Sequence, residues 1–126
     1  MARLRHFAPA LVLGSLIFAG LPAIGQQASI APNGAMLRAL DKISGEVVDF
    51  DLLPGQTKQL GRIQVSLNEC RFPTGNPAGD AFAYLLIRNA GDADTAFEGW
   101  MIASSPALNG LDHSRYDVWV LRCITP

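Results

Sequence analysis

The stretch Ile63-Gln64-Val65-Ser66-Leu67-Asn68 puts an apolar side chain at every second position. A strict period of two lines one face of an extended chain. It does not fit the 3.6-residue period of an amphipathic helix. The alternation recurs at 48–52, where Val48, Phe50 and Leu52 fall on one side and Asp49 and Asp51 on the other. No window sustains a helical period. The expected fold is all-β: a single small antiparallel barrel or sandwich of five to seven strands over 36–126, with one short helical turn.

The N-terminus stands apart from this pattern. Arg3, Arg5 and His6 form a basic head, and an uncharged apolar run extends from Phe7 to Ile24. Ala23-Ile24-Gly25 then presents small residues where a signal peptidase reads. That order predicts a signal peptide over 1–25, cut after Gly25, and a periplasmic location. The competing reading is an uncleaved anchor, since the run approaches the ~18 residues of a spanning helix. Pro9, Gly14, Gly20 and Pro22 interrupt it, and favour cleavage. Residues 26–35 read as a flexible lead. Loss of Arg3 and Arg5 with the leader leaves eight basic against eleven acidic residues, a net charge of −3. There is no Lys/Arg cluster to bind nucleic acid, and no second apolar run to enter a membrane after cleavage.

Cys70 and Cys123 are the only cysteines. In an exported chain an even count favours a disulfide over two free thiols. Closing a loop of that length contributes roughly 4 kcal/mol before strain. Cys70, however, falls on the polar parity of the strand beginning at Ile63. A buried bond therefore requires a bulge near Asn68-Glu69 to reverse the side-chain sense.

The remaining elements follow from turn chemistry. Met36 to Ile43 and Glu46 to Leu52 flank Ser44-Gly45, read as a two-residue hairpin. Pro54-Gly55 turns the chain into a short piece, Thr57 to Leu60, and Phe72 to Asp80 is a Pro/Gly-rich loop. Ala81 to Ile87 is apolar on both faces, as in a central strand. Phe97 to Ala103 forms another strand, with Gly99 at a close approach or bulge. In Tyr116 to Cys123, Trp119, Leu121 and Cys123 share one face and Val118 and Val120 the other. Trp119, between two valines, is expected in the core. The helical turn is placed at Pro106 to Leu111, with Ser105 as cap.

One cluster invites a catalytic reading. Ser104 or Ser105 could serve as nucleophile and His113 as base, with Asp112 or Asp117 behind it, as in a small serine hydrolase. No Gly-x-Ser-x-Gly elbow is present, and adjacent Asp112 and His113 side chains diverge. Turn chemistry accounts for the same residues. Asp49/Asp51 and Asp92/Asp94 lack the full calcium loop, and one histidine beyond the leader is too few for a zinc site. No cofactor and no metal is expected. Trp100, Ser104, Ser105, Asp112, His113 and Tyr116 are instead grouped as a candidate recognition surface for an envelope protein or component. A purely structural subunit of an envelope complex is the third reading. The sequence does not decide the oligomeric state.

Three segments carry a resemblance: Leu37-Arg38-Ala39-Leu40-Asp41-Lys42-Ile43-Ser44-Gly45, Gly61-Arg62-Ile63-Gln64-Val65 ahead of Cys70, and Phe97-Glu98-Gly99-Trp100-Met101-Ile102-Ala103-Ser104-Ser105-Pro106-Ala107-Leu108. Leu111-Asp112-His113 and Tyr116-Asp117-Val118-Trp119-Val120-Leu121-Arg122-Cys123 complete it. Over about residues 36 to 123 the chain resembles the bacterial domain-of-unknown-function family 2155, of exported proteins in Gram-negative bacteria. The resemblance implies an envelope location. It implies no activity and carries over no catalytic residue. The loop from Phe72 to Asp80 is short in this chain, so no role of a longer loop is carried over.

Overall fold

The computed structural model describes residues 9–17, 20, 27–92 and 94–126. Eight strands run in chain order: β1 Ala28–Ile30, β2 Ala35–Asp41, β3 Val47–Leu52, β4 Thr57–Leu60, β5 Ile63–Pro73, β6 Phe82–Asn89, β7 Thr95–Ile102 and β8 Tyr116–Cys123. All pairings are antiparallel. One sheet runs β1-β5-β6-β7, with β4 also on β5; the other runs β3-β2-β8. The two sheets form no closed barrel, and their inner faces meet in one core, a sandwich-like arrangement.

The core follows the period-two pattern. Ile63, Val65 and Leu67 of β5 and Ala83, Leu85 and Ile87 of β6 are buried from one sheet. Leu37 and Ala39 of β2, Phe50 and Leu52 of β3, and Val118 and Val120 of β8 meet them from the other. Cys70 and Cys123 are bonded across the two sheets, with Cα atoms 5.7 Å apart. The β5–β6 register shifts between Leu67 and Glu69, the bulge that a buried Cys70 requires.

Several expectations are corrected. Among the described residues the strand count is eight rather than five to seven. Residues 28–30, read as part of a flexible lead, form β1 against Arg71–Pro73. Ala and Ser carry no strand pattern of their own there, so the pairing is tertiary. The first hairpin has a four-residue rather than two-residue connection. Asp41 N–H donates to the Glu46 carbonyl and Gly45 N–H to the Asp41 carbonyl. Asp41 Oδ1 also accepts from the amides of Ile43 and Ser44, which holds the wider loop. The helical turn at Pro106 to Leu111 is absent. Leu108 N–H reaches the Ser105 carbonyl in an isolated turn. Asn109 Nδ2 then donates to the Trp100 carbonyl at 2.8 Å, drawing the chain onto the edge of β7. No bond from the Ser105 hydroxyl caps this turn among the described residues.

The inner face of β8 is also the reverse of the expected one. Tyr116, Val118 and Val120 are buried, whereas Trp119 and Leu121 are half-buried on the other side. Met36 pairs with Arg122 and Leu37 with Val120, so Leu121 is an extra residue. This second bulge turns Cys123 inward.

The predicted cut after Gly25 lies outside the described residues. Within 9–17, Leu11, Val12, Leu13, Leu16 and Ile17 are each 83% to 88% exposed. No helix among the described residues is long and apolar enough to cross a membrane.

Candidate functional site

The residues grouped from the sequence are distributed over different parts of the fold. Ser104 follows β7 and lies beside Asp80, just ahead of β6. Its amide donates to Asp80 Oδ1 at 3.0 Å and its hydroxyl to Asp80 Oδ2. Burial pushes the Asp80 carboxyl up, but the bonds from Ser104 and the Ala81 amide outweigh it and leave the group below its ordinary value. His113 lies at the far end of the same strand, with Nε2 2.9 Å from Asn89 Oδ1. An extended strand of that length separates the two by about 23 Å. Ser104 and His113 therefore do not meet, and Ser105 is the exposed neighbour of Ser104.

His113 is engaged at both ring nitrogens. The amides of Arg115 and Tyr116 donate to Nδ1 at 3.0 and 3.2 Å. With Nδ1 accepting twice, the proton belongs on Nε2, where it is donated to Asn89. Neither nitrogen offers a free lone pair to a nucleophile. The ring instead holds the entry to β8.

Tyr116 is a buried structural residue, not a surface one. Its hydroxyl accepts from the Arg62 amide at 3.1 Å. Gly61 makes this approach possible, since a Cβ there would fall on the Tyr116 hydroxyl and its φ is +55°. Asp41 joins the same corner through Arg115, 2.9 Å from Arg115 Nη2. The Arg115 guanidinium and the amides of Ile43 and Ser44 hold the Asp41 carboxyl at about 2, against the smaller upward effect of burial. Asp112 is exposed.

Trp100 lies elsewhere, on the outer face of the five-stranded sheet. Glu69 of β5, Tyr84 of β6 and Trp100 of β7 are cross-strand partners in one row. The Tyr84 and Trp100 rings meet edge to face, with centroids 5.3 Å apart and planes at 76°. The Arg71 guanidinium lies 5.1 Å from the Trp100 ring centre, and its Nη2 is 2.7 Å from Glu69 Oε1. Arg71 Nε is buried and has no hydrogen-bond partner among the described residues. The Tyr84 hydroxyl donates to Glu98 at 3.2 Å. Packing raises it above its ordinary value, and the Glu98 carboxylate adds to the effect. Phe82 and Ile102 form the next row with Arg71, and Leu86 the row beyond with Glu98. All four apolar and aromatic residues of β6 and β7 neighbouring Trp100 here, Phe82, Tyr84, Leu86 and Ile102, are half-buried.

Of the sequence-predicted group, then, only Trp100 stands on this face. Tyr84, Arg71, Glu69 and Glu98 were missed. The double apolar parity of Ala81 to Ile87 was the available signal, because a strand apolar on both faces has more surface to cover than one core provides. Among the described residues no group of three His, Cys, Asp or Glu is placed to hold a metal ion.

The model of the family described as an uncharacterized protein conserved in bacteria, DUF2155, matches residues 35–123. The chain belongs to this family. The match takes in both cysteines, the outer-face row and the His113 corner. A relative from Rickettsia prowazekii (strain Madrid E), the uncharacterized protein RP359, is 28% identical over 94 residues, 72% of this chain and 60% of the relative. The chain thus spans about 60% of that relative's length. No solved structure matches this DUF2155 chain.

Proposed function

We propose that this DUF2155 domain is a non-enzymatic binding module of the bacterial envelope, exported by its N-terminal segment, and that the outer face of its five-stranded sheet receives the partner. The observation that carries the reading is the Trp100 row. An edge-to-face aromatic pair, flanked by apolar side chains, occupies a sheet face that no further layer covers among the described residues. Contiguous apolar surface with a charged border is characteristic of interaction sites. Trp, Tyr and Arg are the side chains most enriched at binding hot spots. The Arg71 side chain, part-exposed beside Trp100, places a cationic group at the border of this face.

The export reading is supported by residues 9–17, whose apolar side chains pack against nothing in the sandwich. A removable leader needs no place in the core.

A photoreactive amino acid at Leu86, on this face, tests the reading when compared with one at Asn76 in the exposed loop beyond β5. In growing cells the Leu86 probe is expected to give an adduct with an envelope component. That adduct should weaken when Trp100 is replaced by Ala. Equal adducts from both probes, or none from Leu86, contradict it.

A further inference from the structure

We infer that the outer edge of β3 is a second docking edge, which takes an extended peptide segment alternating basic and apolar residues as a fourth strand of the smaller sheet. It is independent of the Trp100 face. Among the described residues β3 pairs with β2 alone, so six residues of backbone are unpaired on one side. The edge of β7 differs, because Asn109 bonds to the Trp100 carbonyl there. A bare edge is a template for strand addition, in which main-chain bonds supply affinity and alternate side chains supply specificity.

Charge selects the occupant. Asp49 and Asp51 project from the outer side of β3 and are both exposed. Asp49 is held by Arg38, with Nε 2.6 Å from Oδ1. Asp51 faces Met36 across the ladder and has no cationic partner among the described residues. A second copy of β3 is disfavoured. In the face-aligned antiparallel two-fold registers that pair both aspartates within β3, centred on Asp49 or Phe50, an Asp lies opposite an Asp, and like charges directly opposite are destabilising. A strand with Lys or Arg at the matching positions reverses that sign.

The inner side selects the alternate residues. Beside Val48 a cleft of about 410 Å³ opens between the sheets; Ala39, Val48 and Leu60 form its apolar side, and Gln59 and the Asp41–Arg115 pair its polar side. An inward-pointing apolar side chain opposite Val48, next to the basic residue opposite Asp49, has the mouth of this cleft as its seat.

The test is fluorescence anisotropy with a capped heptapeptide alternating lysine and valine. Two comparison peptides carry glutamate for lysine, or a methyl on every amide nitrogen. The alternating basic peptide should bind saturably, more weakly as salt rises, and the other two should not. Asp51→Lys, at an exposed site, should weaken binding roughly fivefold or more. Its thermal melt should match wild type. Trp100→Ala should bind as wild type does. The inference is overturned if the basic peptide does not bind, if the methylated peptide binds equally, or if Asp51→Lys leaves binding unchanged. Loss of binding in folded Trp100→Ala overturns it as well, because the peptide then occupies the other face.

Discussion

Cys70 and Cys123 face each other across the sandwich because each of their strands carries one extra residue. Asn68 in β5 and Leu121 in β8 are the residues passed over by the ladder. Without them, the parity that buries Val65 and Leu67, or Val118 and Val120, would turn each cysteine to the outer face. Both are nearly fully buried, and their bond joins the sheets at the end of the core occupied by Ala35 and Ala83. Replacing Cys123 by Ser should lower unfolding free energy by about 2–5 kcal/mol, read from urea titration. Deleting Asn68 should leave two thiols open to alkylation, whereas wild type shows the linked peptides by mass spectrometry.

The Asp41–Arg115 pair sets a pH dependence. The Asp41 carboxyl is held at about 2, below its ordinary 3.8. A group whose pKa is depressed by folding contributes stability that is complete above its unfolded pKa and lost as pH falls through the folded one. Urea midpoints should therefore fall between about pH 4 and about pH 2. In Arg115→Met the fall across that window should be shallower, because the guanidinium bond is the main cause of the depression. An unchanged slope in that variant would show that the pair does not set it.

His113 stabilises the fold, and the prediction for it follows from its three hydrogen bonds. His113→Ala removes the acceptor of two amides and the partner of Asn89. Its cost should be about 1–3 kcal/mol in a denaturant series. A change below about 0.5 kcal/mol, the size expected of an ordinary exposed side chain, would contradict the tether.

Ser104 and Ser105 should behave differently despite being adjacent. Ser104→Ala removes the hydroxyl bond to Asp80 and should cost about 1 kcal/mol. Ser105→Ala should change stability by less than about 0.5 kcal/mol, since its hydroxyl bonds to no group among the described residues. Thermal melts of the two variants, run in parallel, read the difference.

The strands were legible where one face is buried and the other wet, as at Ile63 to Leu67 and Val48 to Leu52. The β5 bulge was legible because a buried disulfide and the parity of Cys70 could not both hold without it. The β8 bulge was not, because Trp119, Leu121 and Cys123 form a consistent stripe by themselves. Only the ladder to β2, where Val118 and Val120 sit opposite Ala39 and Leu37, shows that the valines face the core. β1 left no pattern, since Ala28 to Ile30 become a strand only through Arg71–Pro73. The polar corner was hidden by distance along the chain. Asp41 and Arg115 are 74 residues apart, and His113 and Asn89 are 24 apart. For the same reason Ser104 and His113 looked adjacent, although the connection between β7 and β8 carries them to opposite ends of β6. Trp100 was singled out from the sequence, but the side chains that surround it come from three strands.

If the Trp100 face receives the partner, as proposed, its tryptophan must matter for association with the envelope. The two tryptophans provide a matched comparison, since both are half-buried and Trp119 lies on the other sheet. Purified wild type, Trp100→Ser and Trp119→Ser, each checked for folding by thermal melt, can be sedimented with washed envelope fraction and the bound share measured. Trp100→Ser is expected to lose most of the bound share while Trp119→Ser keeps it. Retention by folded Trp100→Ser, or equal loss in both variants, would contradict it.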